Sequence, residues 1–342
     1  MPKTRIFLGY IDDRKVAASM IGQNLDDLLA DSDAPLLGTI YHAVVDRRVR
    51  GHGGSYLRTP HGSAFLRGKN ALQAGTALPV QVTGYARDGK ATPVTSKIII
   101  KGRFAILTPS APGLNVSRQV PIELRDDLRA IAREVMVGSD FGVIVRTAAH
   151  FGNQSDIASE IAQLRTEAEQ IFKSSVPSSR VPTVLRQGDD AWTVARNEWT
   201  PATEVISGGS ILDYDDVAEA IEATSDHRIP LAEDAYMYLE ATRALVAVDV
   251  NTGASTSLVA GLKANLAAAR TLPASLRVRG LGGQIVIDLA PMRKHSRPRF
   301  EDALREAFRT DRIDTMFAGW TPLGNYEIRR KDCRMRLGDI LV

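Results

Sequence analysis

The chain has 342 residues, of which 44% are hydrophobic and 24% are charged, and it holds a single cysteine. This length and composition are typical of a globular protein with two or three compact units. They exclude a disulfide-stabilised secreted domain and a cysteine-based zinc site, because Cys333 has no cysteine partner. No signal-peptide core or membrane-spanning stretch is evident, so we expect a soluble, cytoplasmic protein.

Positive charge is concentrated in two segments, although the formal net charge is only +3. Residues 38–70 contain six basic residues and one acid, and residues 291–336 contain twelve basic and seven acidic residues. Residues 213–240 instead contain nine acids and one arginine. This distribution favours a polyanionic ligand such as a nucleic acid. The alternative is a set of ordinary solvated surfaces.

The first third of the chain predicts β-structure. Residues 4–9 have the pattern of a strand, and residues 14–31 that of a strand followed by a polar connection. From Leu37 to about residue 97, short apolar runs are separated by Gly, Pro, Arg and Asp, which predicts a small barrel. Residues 98–109 predict two further strands.

The middle of the chain predicts helices around one strand. Apolar residues recur at helical spacing over residues 121–136 and again over about 155–174, with a strand at 141–148 between them. A Ser- and Pro-rich stretch at 174–182 predicts a linker, and residues 213–224 predict an acid-rich helix.

The last third alternates between strands and helices. Residues 236–240, 245–249 and 284–288 predict strands, and residues 300–311 predict an amphipathic helix. Between the second and third strands lies a helix of about 20 residues, which we expect to be interrupted or bent at Pro273. No internal repeat is present.

Two of these strands end in aspartate, at Asp249 and Asp288. In a strand–helix–strand unit the two strands can be parallel neighbours, so both carboxylates would lie at the C-terminal edge of the sheet. Asn251 follows two residues after Asp249 and would point to the same side. Adjacent carboxylates favour Mg²⁺, which prefers hard oxygen ligands. The alternative is that Asp249 begins a turn and Asp288 caps the next segment.

Longer motifs around these aspartates resemble the catalytic core of the ribonuclease E/G family. They occur in that family's order and spacing: VAVDVNTG (246–253), NLAAA (265–269), LRVRGLGGQIVIDL (276–289) and LREAFRTDR (304–312). The resemblance extends upstream through GGSYLRTPHGSAFLRG (53–68), GYARDGKATPVTSKIII (84–100), GLNVSRQV (113–120) and GVIVRTA (142–148). It covers roughly residues 35–335.

The resemblance implies a multidomain α+β and α/β fold. A ribonuclease-H-like part would comprise residues 1–34 and 186–224. An OB-fold RNA-binding barrel would occupy residues 35–97, and a sensor of the RNA 5′-phosphate would occupy residues 98–185. A deoxyribonuclease-I-like catalytic domain would follow over residues 225–342.

The resemblance also implies an activity, which is Mg²⁺-dependent cleavage of single-stranded RNA within the chain. The products would carry a 5′-phosphate and a 3′-hydroxyl, and the process would be RNA processing or decay. Asp249 and Asp288 match the family's two magnesium ligands, and Asn251 matches the asparagine that supports the catalytic site.

Five further residues match RNA-binding positions of the family. Arg146 and Thr147 match the pair that binds a 5′-monophosphate, for which a planar guanidinium and a hydroxyl are suited. Tyr56 and Phe65 match barrel aromatics that stack on bases, and Lys90 matches a basic residue of the same surface. The alternatives are a surface ion pair for Arg146 and barrel packing for the two aromatics.

The sequence departs from the family pattern after the second aspartate. The family has another acidic residue there, whereas this chain has Ala290. This change motivates an alternative function, an RNA-binding protein with lost or reduced catalysis, and a third candidate is a nuclease acting on DNA. The family's two-cysteine zinc link and small domain are also missing, so we expect a short, divergent member with no zinc and no zinc-linked tetramer. Monomers and other oligomers both remain open.

Overall fold

The computed structural model describes residues 3–33, 35–49, 53–68, 72–86, 89–175, 179–199 and 202–341. The chain divides into two compact units. The first combines residues 1–30 with 202–342, and the second comprises residues 31–201. Within the described ranges, no helix is both long enough and apolar enough to cross a membrane.

Two stretches far apart in the chain form the first sheet of the first unit. Its antiparallel strands are β1 (Thr4–Ile11), β2 (Arg14–Ile21) and β3 (Asn24–Ala30). A later strand, β14 (Glu204–Ser210), pairs with β1 in parallel, and the sheet order is β14-β1-β2-β3. The predicted polar connection after β2 is wrong, because most of it forms β3, with Leu28 and Leu29 buried.

A closed five-stranded barrel dominates the second unit, as the short apolar runs predicted. Its strands are β4 (Ile40–Val49), β5 (Gly54–Thr59), β6 (Gly62–Arg67), β7 (Ala77–Val82) and β8 (Thr92–Thr95). The order is β4-β5-β6-β8-β7, and a β7–β4 pairing closes the barrel. Alternation along the strands sends Leu57, Ala64 and Leu66 into the core and Tyr56 and Phe65 outward.

A second, smaller sheet packs against two helices in the same unit. Its order is β11-β12-β10-β9, and its strands are β9 (Ile100–Lys101), β10 (Ala105–Thr108), β11 (Leu114–Val116) and β12 (Gly142–Val145). The helices are α1 (Arg125–Val135) and α2 (Gln154–Ser174). Helix α1 begins later than predicted, because residues 122–124 form a single 3₁₀ turn.

The second unit ends with a short strand and a helix. Strand β13 (Thr183–Arg186) pairs with β4, and α3 (Ala191–Glu198) follows. Helix α2 ends inside the predicted linker, of which residues 176–178 lie outside the described residues. The acid-rich helix predicted over residues 213–224 is confirmed in the first unit as α4 (Asp215–Ser225).

The last third of the chain forms a six-stranded sheet with helices on one face. The strands are β15 (Arg228–Pro230), β16 (Tyr236–Ala241), β17 (Val246–Asn251), β18 (Gly283–Asp288), β19 (Thr315–Trp320) and β20 (Tyr326–Arg330). The helices on that face are α5 (Leu258–Val278) and α6 (Arg297–Arg309). The short α7 (Leu337–Ile340) packs instead into the core of the β1–β3 sheet. The sheet order is β15-β16-β17-β18-β20-β19.

Helix α5 connects β17 to β18, and these two strands are parallel neighbours as predicted. Val248 and Ile287 pack with Ala268 and Leu272 of the helix in one core cluster. The helix continues through Pro273 without interruption, contrary to one of the predicted alternatives. The opposite face of the sheet carries the polar residues of each strand.

A buried cluster of charges connects the two sheets of the first unit. The carboxylate of Asp27 on β3 is fully buried, 3.1 Å from Arg334, 3.4 Å from Arg312 and 3.8 Å from Arg277. Arg277 also pairs with Asp311 at 2.5 Å. Burial alone lowers the pKa of Arg277, but the charges of its aspartate neighbours raise the pKa above its ordinary value.

Replacing Asp27 with Asn should therefore destabilise the first unit by about 3 kcal/mol, because three arginines would lose their shared counter-charge away from water. Urea unfolding followed by circular dichroism measures this change. Asp26→Asn is the matched control, since Asp26 contacts the same Arg277 but is partly exposed, and it should cost much less. Equal losses in the two variants would contradict the assignment of Asp27 as the centre of the cluster.

Candidate active site and phosphate-binding residues

The two strand-end aspartates are aligned with each other. The β17–β18 register pairs Val248 with Ile287 and Asp249 with Asp288. Neighbouring strands lie about 4.8 Å apart, so the two side chains leave the sheet from adjacent positions. Buried and exposed residues alternate along both strands, and both aspartates are on the exposed face. The structure thus brings together the two residues that the sequence placed 39 positions apart.

Asn251 extends the same site along β17. Its side chain lies on the same face as that of Asp249, and its Nδ2 donates a hydrogen bond to Asp249 Oδ2 at 3.0 Å. Among the described residues, neither Asp249 nor Asp288 forms an ion pair with a basic side chain. Two exposed, unneutralised carboxylates provide the hard oxygen donors that Mg²⁺ takes together with several waters. The residues present therefore fit a magnesium ion.

The described residues add no third metal-ligand candidate to this pair. Within the described residues, no group of three or more His, Cys, Asp or Glu side chains is arranged to hold a metal. Ala290, at the position where the family has an acid, is buried, and its methyl group offers no ligand to a metal. A metal at this site would have two protein carboxylates and would complete its coordination with water or substrate oxygens.

A residue that the sequence analysis did not single out holds the segment after Asp288. Asn265 of α5 is fully buried, and its Nδ2 donates to the Ala290 carbonyl at 2.9 Å while its Oδ1 accepts from the Ala290 N–H at 3.0 Å. One helical turn earlier, a side chain at Gly261 would collide with the carbonyl of Pro291. A polar residue on the buried side of an otherwise apolar helix was the available signal for Asn265.

Basic residues follow this segment. Arg293, Lys294, His295 and Arg299 are exposed around the start of α6. Arg297 is partly covered, with its guanidinium 4.0 Å from the ring centre of Trp320. Four exposed basic side chains close in sequence to Asp288 make this connection suited to a phosphate backbone.

Arg146 and Thr147 lie together at the end of β12, but the guanidinium of Arg146 already has an anionic partner. It donates to Glu198 Oε2 at 2.9 Å and to the Gly102 carbonyl at 2.6 Å. Lys101 Nζ also lies 3.1 Å from Glu198. Burial raises the pKa of Glu198. The charges and hydrogen bonds of Lys101 and Arg146 lower it by more than burial raises it, so the pKa lies below its ordinary value.

The hydroxyl of Thr147 belongs to a separate polar group. It lies 2.9 Å from the Ser117 hydroxyl and donates to Gln119 Oε1 at 3.3 Å. Ser117 and Gln119 belong to the segment that the resemblance assigned to 5′-phosphate sensing. The structure therefore surrounds Thr147 with hydroxyl and amide groups, whose O–H and N–H bonds can donate to an anionic oxygen.

Tyr56 and Phe65 form a cross-strand pair on the outside of the barrel. Their ring centres are 5.3 Å apart at 62°, and Arg47 lies over Tyr56 at 4.7 Å. A side chain at Gly54 would collide with the Phe65 ring, so the glycine leaves room for that ring. Neither aromatic belongs to the barrel core. The alternative that they are barrel packing residues is not favoured by this position.

Lys90 lies in the connection between β7 and β8 and is exposed. It forms no ion pair with another described residue. Its ammonium group is accessible to a phosphate, and its place on an RNA-binding surface stays a prediction.

Comparison of the sequence with known proteins identifies relatives of this chain. The sequence model of the Ribonuclease E/G family matches residues 99–207 and 195–333, which together exceed half of the chain. The matched range includes both aspartates, Asn251 and the Arg146–Thr147 pair.

Individual proteins similar to this chain are named ribonuclease G or ribonuclease E. Ribonuclease G of Salmonella typhimurium (strain SL1344) is 27% identical over 306 residues, which are 79% of this chain and 62% of that protein. Ribonuclease E of Nostoc sp. (strain PCC 7120 / SAG 25.82 / UTEX 2576) is 26% identical, over 97% of this chain and 56% of its own length. Ribonuclease E of Escherichia coli (strain K12) is 23% identical, over 79% of this chain and 29% of that protein. The chain thus spans less than two thirds of these relatives.

Glu198→Gln should lower the free energy of unfolding by roughly 1–3 kcal/mol at pH 7, because Arg146 and Lys101 lose a charge-assisted partner. The lowered pKa means that the stabilising charge is fully present above the unfolded-state pKa. It is lost as the pH falls through the lower folded-state pKa. The difference between wild type and variant should therefore be constant near neutral pH and shrink in acid.

Urea unfolding at a series of pH values measures this dependence. Glu134→Gln, on the exposed surface of α1 in the same unit, should show no comparable difference. A Glu198→Gln deficit that stays unchanged down to pH 2 would contradict a contribution from the Glu198 charge.

Proposed function

The chain belongs to the ribonuclease E/G family, and on that premise we propose that it is an endoribonuclease that cleaves single-stranded RNA in RNA processing or decay. One observation carries the proposal. Asp249 and Asp288 share a register position on the exposed face of two parallel strands, inside the sequence range that matches the family. Carboxylates placed side by side in this way are unfavourable unless a cation joins them.

The proposed cofactor is Mg²⁺, held by Asp249 and Asp288. When bound, such an ion orients a water molecule and offsets negative charge on a phosphodiester. Asn251 fixes the Asp249 carboxylate through its amide hydrogen bond. Asn265 holds the backbone that follows Asp288. Hydrolysis of the P–O3′ bond would leave a 5′-phosphate on one product and a 3′-hydroxyl on the other.

The same proposal extends to the rest of the fold. The closed barrel, with Tyr56, Phe65 and Lys90 on its outer surface, would be the OB-like RNA-binding part. The sheet containing β1–β3 would belong to the ribonuclease-H-like part. The six-stranded sheet with α5 and α6 would be the deoxyribonuclease-I-like catalytic domain. These assignments are supported by the order of the family motifs and by the position of the aspartates.

Arg146 and Thr147 are proposed to bind a 5′-monophosphate. The guanidinium fork suits a phosphate, but Glu198 occupies part of it in the structure described here. A 5′-phosphate would have to displace Glu198 or share Arg146 with it. The preference for 5′-phosphorylated RNA should therefore be modest, because the gain is the difference between two anionic partners.

A second candidate function is RNA binding without cleavage. It is favoured by Ala290, since the position where the family carries a further acid is here a buried methyl group. It predicts a protein that binds RNA and leaves it intact in the presence of Mg²⁺.

Purified wild-type protein should cut a single-stranded oligoribonucleotide with Mg²⁺ and not with EDTA. Asp249→Asn should reduce the rate at least about 100-fold, because half of the negative charge that holds the ion is lost. Gel analysis of end-labelled RNA measures the rate, with single-stranded DNA of the same sequence alongside.

Asp302→Asn is the matched control, because Asp302 is an exposed acid on α6. The cleavage rate of this variant should equal that of the wild type. RNA binding without cleavage by the wild type would select the second candidate function. Faster cleavage of DNA than of RNA would instead identify a deoxyribonuclease.

A 5′-monophosphate should speed cleavage by roughly tenfold over a 5′-hydroxyl on the same RNA, which corresponds to about 1.4 kcal/mol. Arg146→Ala should bring the ratio of the two rates to about one without lowering the rate on the 5′-hydroxyl substrate. Arg133→Ala, at an exposed arginine of α1, should preserve the ratio. Equal rates on both substrates for the wild-type protein would remove 5′-phosphate sensing from the proposal.

A further inference from the structure

An exposed tyrosine lies beside the aspartate pair, on the next strand of the sheet. In the antiparallel β16–β17 register, Tyr238 is directly opposite Asp249, and Asp249 is in turn aligned with Asp288. The β15–β16 register adds Arg228 opposite Tyr238. Arg228, Tyr238, Asp249 and Asp288 therefore form one row across four neighbouring strands, and cross-strand partners point to the same face.

Tyr238 contributes little to the folded core. Its neighbours in the strand, Met237 and Leu239, are buried at 0% and 1% exposure, whereas Tyr238 is 37% exposed. Its hydroxyl forms no hydrogen bond with another described residue. A large ring left on the solvent side, one strand away from Asp249 and two strands away from Asp288, needs a reason other than burial.

A second tyrosine fixes the ring in place. Tyr236 lies on the same face, opposite Asn251, and its ring centre is 5.6 Å from that of Tyr238 at 82°. The Arg228 guanidinium covers Tyr236 at 4.1 Å from the ring centre. Tyr236 is thus enclosed between a cation and a ring, whereas Tyr238 keeps its outward surface. A ring held in this way loses little conformational entropy when a ligand stacks on it.

We propose that Tyr238 is a stacking platform for the nucleobase next to the scissile phosphate, with Arg228 beside it for the RNA backbone. This inference rests on the proposed function, because Asp249 defines where the scissile phosphate lies. A phosphate held at Asp249 and Asp288 places one adjoining nucleotide over β16, where Tyr238 is the exposed aromatic. Stacking accepts any base, so the residue would position RNA without reading its sequence.

The competing explanation is that tyrosine is simply a good strand residue on an exposed face. Threonine has comparable strand propensity and no ring, so Tyr238→Thr separates the two explanations. Tyr238→Phe and Tyr238→Trp keep an aromatic face and remove or change the hydroxyl. Val205→Thr on β14 is the control, since Val205 is an exposed apolar strand residue on another sheet of the same unit.

The first measurement is RNA affinity without cleavage. Fluorescence anisotropy of a labelled single-stranded oligoribonucleotide in EDTA should show about tenfold weaker binding for Tyr238→Thr, and wild-type affinity for the Phe and Trp variants. The second is cleavage with Mg²⁺, where Tyr238→Thr should raise KM about tenfold and leave kcat nearly unchanged. Val205→Thr should match the wild type in both.

An abasic substrate tests the position. The wild-type cut site is mapped first, and one flanking base is then removed at a time from the oligoribonucleotide. One of the two abasic substrates should bind wild type and Tyr238→Thr equally, because the stacked base is already gone. If the Tyr238→Thr deficit persists on both, or if this variant binds intact RNA as tightly as wild type, the platform is excluded.

The outcomes distinguish this inference from the proposed function. Cleavage by the wild type with no effect of Tyr238→Thr overturns the platform and leaves the nuclease intact. Loss of affinity in Tyr238→Thr together with no Mg²⁺-dependent cleavage by the wild type supports the platform and overturns the nuclease.

Discussion

The alignment of β17 with β18 is the constraint on which the candidate active site depends. Helix α5 packs its small and apolar residues onto the buried face of both strands, so a shift of one residue would turn the aspartates into the core. Asn265 and Gly261 add a second restraint by holding the backbone just beyond Asp288. The register places two carboxylates side by side on the exposed face, which is unfavourable in the isolated protein and is the basis of the proposed magnesium site.

The molecule treats its buried and exposed charges differently. At Asp27 three arginines surround one fully buried carboxylate, and this cluster stabilises the first unit. At Arg146 a partly exposed guanidinium is paired with Glu198, the partner that a 5′-phosphate is proposed to displace or share. At Asp249 and Asp288 the charges have no basic partner among the described residues. The carboxylate that stabilises the fold is therefore buried and paired, whereas the two carboxylates proposed to hold a metal are exposed.

Several elements followed directly from local sequence pattern. The barrel, α2, α4 and the strand–helix–strand unit all appear where short apolar runs, apolar periodicity or acid-rich composition predicted them, because each is formed by residues that are close in sequence. Strand β3 was missed because Asp26 and Asp27 resemble loop residues, and the arginines that neutralise Asp27 lie about 250 residues or more away in the chain. A local pattern carries no information about such distant partners.

The sequence by itself determined the family, the aspartates at two strand ends, and the residue types suited to metal and phosphate. Only the tertiary structure decided that Asp249 and Asp288 share a register position, that Glu198 occupies Arg146, and that Tyr238 lies exposed beside Asp249. The reason is that strand pairing and ion pairing join residues by distance in space. Which residues become neighbours depends on how the intervening helices and sheets pack, and composition and spacing do not fix that packing.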